Sequence, residues 1–168
     1  MKRLLSILML ALAMTLSGCW IYSFSGTSIQ SDVNSITLPT FEYKALRVNP
    51  SLANNLSEKL RDNFRRMTKL EQVEMDGDLQ IDGEITGYDV KASAVTADEV
   101  AAQNRLTVTV NINFTNRKYP EDSFENKSFS AYADYDSTNS LDAVENTLCE
   151  EIIEKLVEDI FNATVAQW

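Results

Sequence analysis

Arg105-Leu106-Thr107-Val108-Thr109-Val110-Asn111-Ile112-Asn113-Phe114-Thr115 alternates polar and apolar side chains without an error. Successive side chains of a strand point to opposite faces, so this run is a β-strand whose apolar face needs a cover. Upstream, Leu79, Ile81, Gly83 and Ile85 alternate with Gln80, Asp82, Glu84 and Thr86 and predict a second half-buried strand. Downstream, the polar turn from Asn116 to Asp122 leads to a strand from Ser123 to about Asp134. Phe124 and Phe129 differ in parity there, so a bulge near Asn126 to Ser128 is expected if both are to face the core. Ser35 to Phe41 predicts one further short strand, ended by the ring of Pro39.

Two segments change to the helical period. Asn49-Pro50 suits an N-cap followed by the first helical position, and Leu52, Leu56, Leu60 and Phe64 then form one apolar stripe, which predicts a helix over 50–67. Asn139 and Ser140 are cap candidates for a second helix, in which Leu141, Val144, Leu148, Ile152, Leu156 and Ile160 recur at three or four. Its other face carries Glu145, Glu150, Glu151, Glu154, Glu158 and Asp159, most simply a solvated acidic face. The expected class is α+β, a two-layer sandwich with two helices on one face of a four-stranded mixed sheet, in the order β-α-β-β-β-α.

The N-terminus reads as an address. Lys2 and Arg3 precede the apolar stretch Leu4 to Leu16, which is too short to span a bilayer, so residues 1–18 are expected to be a signal peptide. Leu16-Ser17-Gly18-Cys19 matches the bacterial lipobox, whose cysteine is acylated and becomes the new N-terminus. Acyl burial contributes about 0.8 kcal/mol per CH₂, so two or more chains on Cys19 would hold the protein at a membrane. Residues 19–33 then form a lipidated lead and 34–168 a single domain.

Composition excludes several functions. The chain has 168 residues, 15 Lys+Arg, 25 Asp+Glu and no His; without residues 1–18 its net charge falls from −10 to −12. The missing His removes Ser-His-Asp and Cys-His catalysis and the commonest transition-metal ligand. Scattered basic residues argue against nucleic acid. Asp76-Gly77-Asp78 with Asp82 reads as a turn, because its Gly is misplaced for a calcium loop and no spaced Glu completes one. Gly83 and Gly87 suggest close backbone approach by the overlying helix, or a bend. Cys149, the one thiol outside the lipobox, reads as a buried helix residue. No cofactor motif is present, and no enzyme activity is expected.

Taken in order, several motifs carry a family likeness. They are the lipobox Cys19, Tyr22-Ser-Phe-Ser-Gly26, Ile36-Thr-Leu-Pro39, Thr68-Lys-Leu70, Gly77-Asp-Leu79, Gly83-Glu-Ile85 with Tyr88, Asn104-Arg-Leu106, and the end from Asp159-Ile-Phe161 to Trp168. Together they resemble the LPS-assembly lipoprotein family LptE, in its Bacteroidetes form. The resemblance implies a lipid-anchored outer-membrane protein on the periplasmic side. It would plug the large β-barrel LptD and help lipopolysaccharide reach the cell surface.

Lipopolysaccharide is anionic, so an acidic body can contact it only locally. The candidate contacts are Arg117 and Lys118 in the turn, with Arg65, Arg66 and Lys69 as a second group. The simpler reading of the second group is complementation of a helix C-terminus, and of the first, a solvated turn. Two rivals stay open. A lipid-anchored carrier or pilotin-like chaperone requires an apolar cavity of roughly 300 Å³ or more. A small hydrolase requires two converging carboxylates, one with a raised pKa.

Overall fold

The computed structural model describes residues 29–93 and 102–166. The elements are β1 (Ser35–Thr37), β2 (Glu42–Tyr43), α1 (Leu52–Met67), β3 (Glu71–Gln72), β4 (Leu79–Ala92), β5 (Gln103–Asn116), a 3₁₀ turn (Pro120–Asp122), β6 (Phe124–Asp136) and α2 (Leu141–Thr164). The sheet runs β3-β1-β4-β5-β6, and β2 also pairs with β4. The fold is therefore α+β, with six strands among the described residues rather than four. The two additional strands, β2 and β3, have two residues each, too few to show an alternation in sequence. β4, β5 and β6 are antiparallel, whereas β1 pairs parallel with β3 and β4, and β2 pairs parallel with β4.

The expected strand over 35–41 is interrupted by Pro39, and β1 and β2 lie one after the other along β4. Pro has no N–H to give the ladder. Helix α1 satisfies the groups freed by the break. The Phe41 N–H donates to Ser57 Oγ at 2.9 Å, and Arg61 donates from Nε to the Leu38 carbonyl and from Nη2 to Thr40 Oγ1, each at 2.9 Å. Ser57 is 2% exposed, so this polar contact lies inside the core.

On β5 the reading holds residue by residue: Leu106, Val108, Val110, Ile112 and Phe114 are buried and the residues between them are not. The expected bulge on β6 is present. Ile112 pairs with Lys127 but Phe114 with Phe124, and Asn126 takes a left-handed φ of 52°. A second bulge lies between Ile85 and Gly87 on β4 and returns Tyr88 to the buried face. The close approach at Gly83 comes from the neighbouring strand and not from a helix, since an added Cβ would lie 2.6 Å from Ile112 Cδ1 and 2.7 Å from the Asn111 carbonyl oxygen.

Both helices cover the apolar face. Leu52, Leu56, Leu60 and Phe64 of α1 and Ile152, Leu156 and Ile160 of α2 are at most 1% exposed, and the Phe64 and Phe161 rings meet edge to face at 5.0 Å. Helix α1 begins two residues later than expected. Ser51 occupies the N-cap, and its N–H donates to Asn49 Oδ1 at 3.3 Å. Of the acidic face on α2, Glu145 is the exception, half-buried and accepting from the Tyr88 hydroxyl, whereas Glu150, Glu151, Glu154, Glu158 and Asp159 are exposed.

Asp78 ties the start of β1 to the start of β4. Its Oδ2 accepts the N–H groups of Asn34 (2.8 Å) and Ser35 (3.2 Å), and its own N–H donates to Ser35 Oγ (3.0 Å). The Asn34 N–H, helped by Lys118 and Ser35 and opposed by partial burial, holds this carboxyl below the ordinary carboxylate range.

Ser57→Ala should lower stability by about 1–3 kcal/mol in denaturant titration by leaving the Phe41 N–H buried without an acceptor. Exposed Ser128→Ala should stay within about 0.5 kcal/mol. The Asp78 contribution is fully present above the ordinary carboxylate pKa of about 3.9 and is lost as pH falls through the lowered value. Relative to intrinsic rates, the Asn34 and Ser35 amides should therefore lose hydrogen-exchange protection on acidification before those of β5, and Asp78→Asn should remove this dependence.

Candidate functional site

Of the two basic groups singled out in the sequence, Lys118 from one and Arg66 and Lys69 from the other border a common feature, the strap from Ile29 to Asn34 at the end of the sheet where β4 starts and β5 finishes. Asn116 shapes the turn by accepting at Oδ1 from the backbone N–H groups of Lys118 (3.1 Å) and Tyr119 (3.0 Å), and the Arg117 N–H donates to the Asp78 carbonyl at 2.9 Å. The Arg117 side chain pairs with Asp76 at 2.9 Å, and Lys118 lies 3.4 Å from Asp78 and donates to the Asp32 carbonyl. Both cations are thus already opposed by carboxylates.

On the other side of the strap, Arg66, Met67, Lys69 and Leu70 line a groove with Ile29 and Val33. Arg65 and Arg66 stand in the last turn of α1, as the dipole reading expects. Arg65 pairs with Asp62 at 2.7 Å and Arg66 donates to the Asp62 carbonyl at 3.4 Å. Lys69 is exposed and makes no ion pair with a described residue. Cys19 lies outside the described residues.

The strap itself showed no periodicity in the sequence. Its contacts with the β5–β6 turn join residues 86 to 92 positions apart and its bond to Asp78 residues 44 apart, separations at which local spacing carries no signal. A second unanticipated feature is the loop between β2 and α1. There Leu46 is fully exposed and Val48 73% exposed, while the backbone is held by the Tyr43 hydroxyl on the Arg47 carbonyl and the Lys44 N–H on the Ile85 carbonyl at 2.9 Å.

The outer face of the sheet is a polar lattice. Asn113 Nδ2 donates to Asp82 at 2.9 Å, Thr109 and Ser130 hydroxyls meet at 3.2 Å, and Arg105 forms a two-point pair with Asp134 while stacking 3.7 Å from the Tyr132 ring centroid. The opposite face packs directly on the helices: Ile81, Ile85, Ile112, Leu56, Leu60 and Ile152 are all fully buried. A cavity reached from the strap end, of about 220 Å³, is lined partly by Leu79, Phe114 and Val165.

No group of three or more metal-binding side chains is found among the described residues. The carboxyls with a displaced pKa, Asp78, Asp134 and Asp136, all move down: the Asn34 N–H, the Arg105 guanidinium and the Thr138 hydroxyl are the leading causes. Cys149 is buried beside Asn49 and Tyr88, and burial pushes its thiol up, away from the nucleophilic thiolate. Among the described residues no helix is long and apolar enough to cross a membrane.

No curated protein matches the sequence closely enough to count as a relative. Among solved structures the chain is similar to a minor lipoprotein from Acinetobacter baumannii, at 14% identity and a TM-score of 0.46, over 76% of this chain and 89% of that one. It is also similar to a hypothetical protein, CT253, from Chlamydia trachomatis, at 9% identity and a TM-score of 0.52, over 80% of this chain and 99% of that one. At 9% identity the second likeness shows the fold alone. The family model described as LptE, Lipopolysaccharide-assembly, matches residues 33–164, from the strap to the last residue of α2. By that match, which takes in every strand and both helices, the chain belongs to the LptE lipopolysaccharide-assembly family.

Proposed function

We propose that this lipopolysaccharide-assembly protein is acylated at Cys19, held at the periplasmic side of the outer membrane, and seated in an LptD-type β-barrel whose assembly and lipid delivery it assists. Family membership over residues 33–164 carries the reading. The surface supports it. Large barrels have polar interiors, and the outer sheet face offers Thr109 bonded to Ser130 and Asn113 bonded to Asp82. Leu46 and Val48, presented on a braced loop, are suited to fill small apolar depressions in a partner, because a preorganised loop gives up little entropy on binding. The role requires no catalytic group.

Direct contact with lipopolysaccharide is the second part of the reading, and Arg66 and Lys69 lead it. They are exposed beside Met67 and Leu70, a combination of cation and apolar surface that fits an anionic amphiphile. Arg117 and Lys118 follow, since Asp76 and Asp78 already face them.

A functional tagged chain purified from detergent-solubilised outer membrane should bring down a large barrel protein, and recovery of none rejects the partnership. Leu46→Glu with Val48→Glu should reduce that recovery without changing the melting temperature. Arg66→Glu with Lys69→Glu should weaken lipopolysaccharide binding severalfold, and the difference from the native chain should shrink as salt is raised; equal affinity would remove both residues from the contact.

A further inference from the structure

The loop between β2 and α1 is buried at both ends and exposed in between. Ala45 is 9% exposed and Asn49 8%, whereas Leu46, Arg47 and Val48 stand clear of the body. The Tyr43 hydroxyl donates to the Arg47 carbonyl and the Lys44 N–H to the Ile85 carbonyl, while Asn49 accepts the Ser51 N–H at Oδ1 and donates from Nδ2 to Cys149 Sγ at 3.7 Å. Three side chains are thus presented from fixed footings. Among the described residues the Arg47 guanidinium forms no ion pair and donates no hydrogen bond, whereas Arg61, Arg65, Arg105 and Arg117 pair with carboxylates and Arg66 donates to a carbonyl. Glu42 and Glu84, which flank the start of the loop, are engaged by Lys44. In a chain of net charge −10, Arg47 is a cation left without an internal counter-charge.

We infer that Leu46-Arg47-Val48 is a prong that enters a depression in a protein partner, its two aliphatic side chains against apolar walls and Arg47 on a carboxylate that the partner supplies. The inference deepens the barrel partnership proposed above and rests on it. The planar fork of arginine matches a carboxylate at two points, and an arginine framed by apolar contacts is the kind of group in which binding energy concentrates. A loop fixed beforehand gives up little freedom when it docks. A bilayer is the poorer fit. Anionic leaflets are held by clusters of several Lys or Arg, and the prong carries one cation on a body that is acidic elsewhere.

The test uses the full tagged chain, purified in detergent from its own outer membrane with the barrel it holds. Arg47→Glu should lower barrel recovery about tenfold or more, because it sets like charges against each other. Arg47→Met should lower it less and Arg47→Lys least, all with an unchanged melting temperature, since the side chain bonds to nothing described in its own fold. A photoreactive benzoylphenylalanine in place of Val48 should crosslink a barrel segment that holds Asp or Glu beside apolar residues, and changing that acid to Lys should restore recovery by Arg47→Glu. Undiminished recovery by Arg47→Glu, a crosslinked segment without an acid, or crosslinking to lipid alone overturns the prong, and so does a fall in melting temperature. If the native chain recovers no barrel, the partnership itself fails.

Discussion

The apolar face of β4, β5 and β6 must be removed from water, and most of the architecture follows from that constraint. Long antiparallel strands, alternating as strictly as Leu106 to Phe114 does, present a continuous apolar surface on one side. Covering it at about 25 cal/mol per Å² is the largest favourable contribution available to a chain of this size. Two amphipathic helices do so, with α2 over β6 and α1 beside α2 toward the β1 and β3 side. Because the helices occupy one face only, the other can be largely polar, with the Tyr132 ring stacked under Arg105. That division between a solid side and a wet side leaves the whole outer face available to a partner without weakening the core.

The constraint also explains the irregular edge. Once Pro39 breaks the strand beside β4, the freed backbone groups lie under α1, where water cannot reach them. A buried N–H without an acceptor costs more than a hydrogen bond gains, so Ser57 stands where the stripe of α1 would otherwise place another apolar residue. At the other edge, Lys155 donates to the Tyr132 carbonyl at 2.8 Å, and Lys127 lies over the Phe124 and Phe129 rings. Charged side chains placed this way protect an open strand from pairing with another chain.

How much of this was legible depends on range. Period-two and period-3.6 patterns are local, so β4, β5, β6 and both helices were readable, and the Phe124–Phe129 parity conflict located the bulge at Asn126. Two-residue strands have no period, and β2 and β3 owe their existence to the neighbours they pair with. The bulge after Ile85 was hidden because Gly87 offers no hydrophobicity from which to judge parity. At the candidate site the basic residues were visible as composition, but their partners were not. Asp76, Asp78 and Asp32 oppose Arg117 and Lys118 only because β1, β4 and the turn converge there. The strap was the least readable feature, since most of the contacts that fix it come from distant sequence.

Charge makes that convergence informative. An acidic body near an anionic surface is repelled over a Debye length of about 8–10 Å at physiological salt, so only local positive charge can bring the two together. The cations of the turn direct their charge inward, Arg117 to Asp76 and Lys118 to Asp78. Lys118, placed between the Asp78 carboxylate and the Asp32 carbonyl, holds chain to chain more firmly than an ammonium facing water would. Arg66 and Lys69 instead lie exposed beside Met67 and Leu70 and make no ion pair with a described residue. One end of the domain thereby carries two kinds of positive charge, one paired within the fold and one facing solvent.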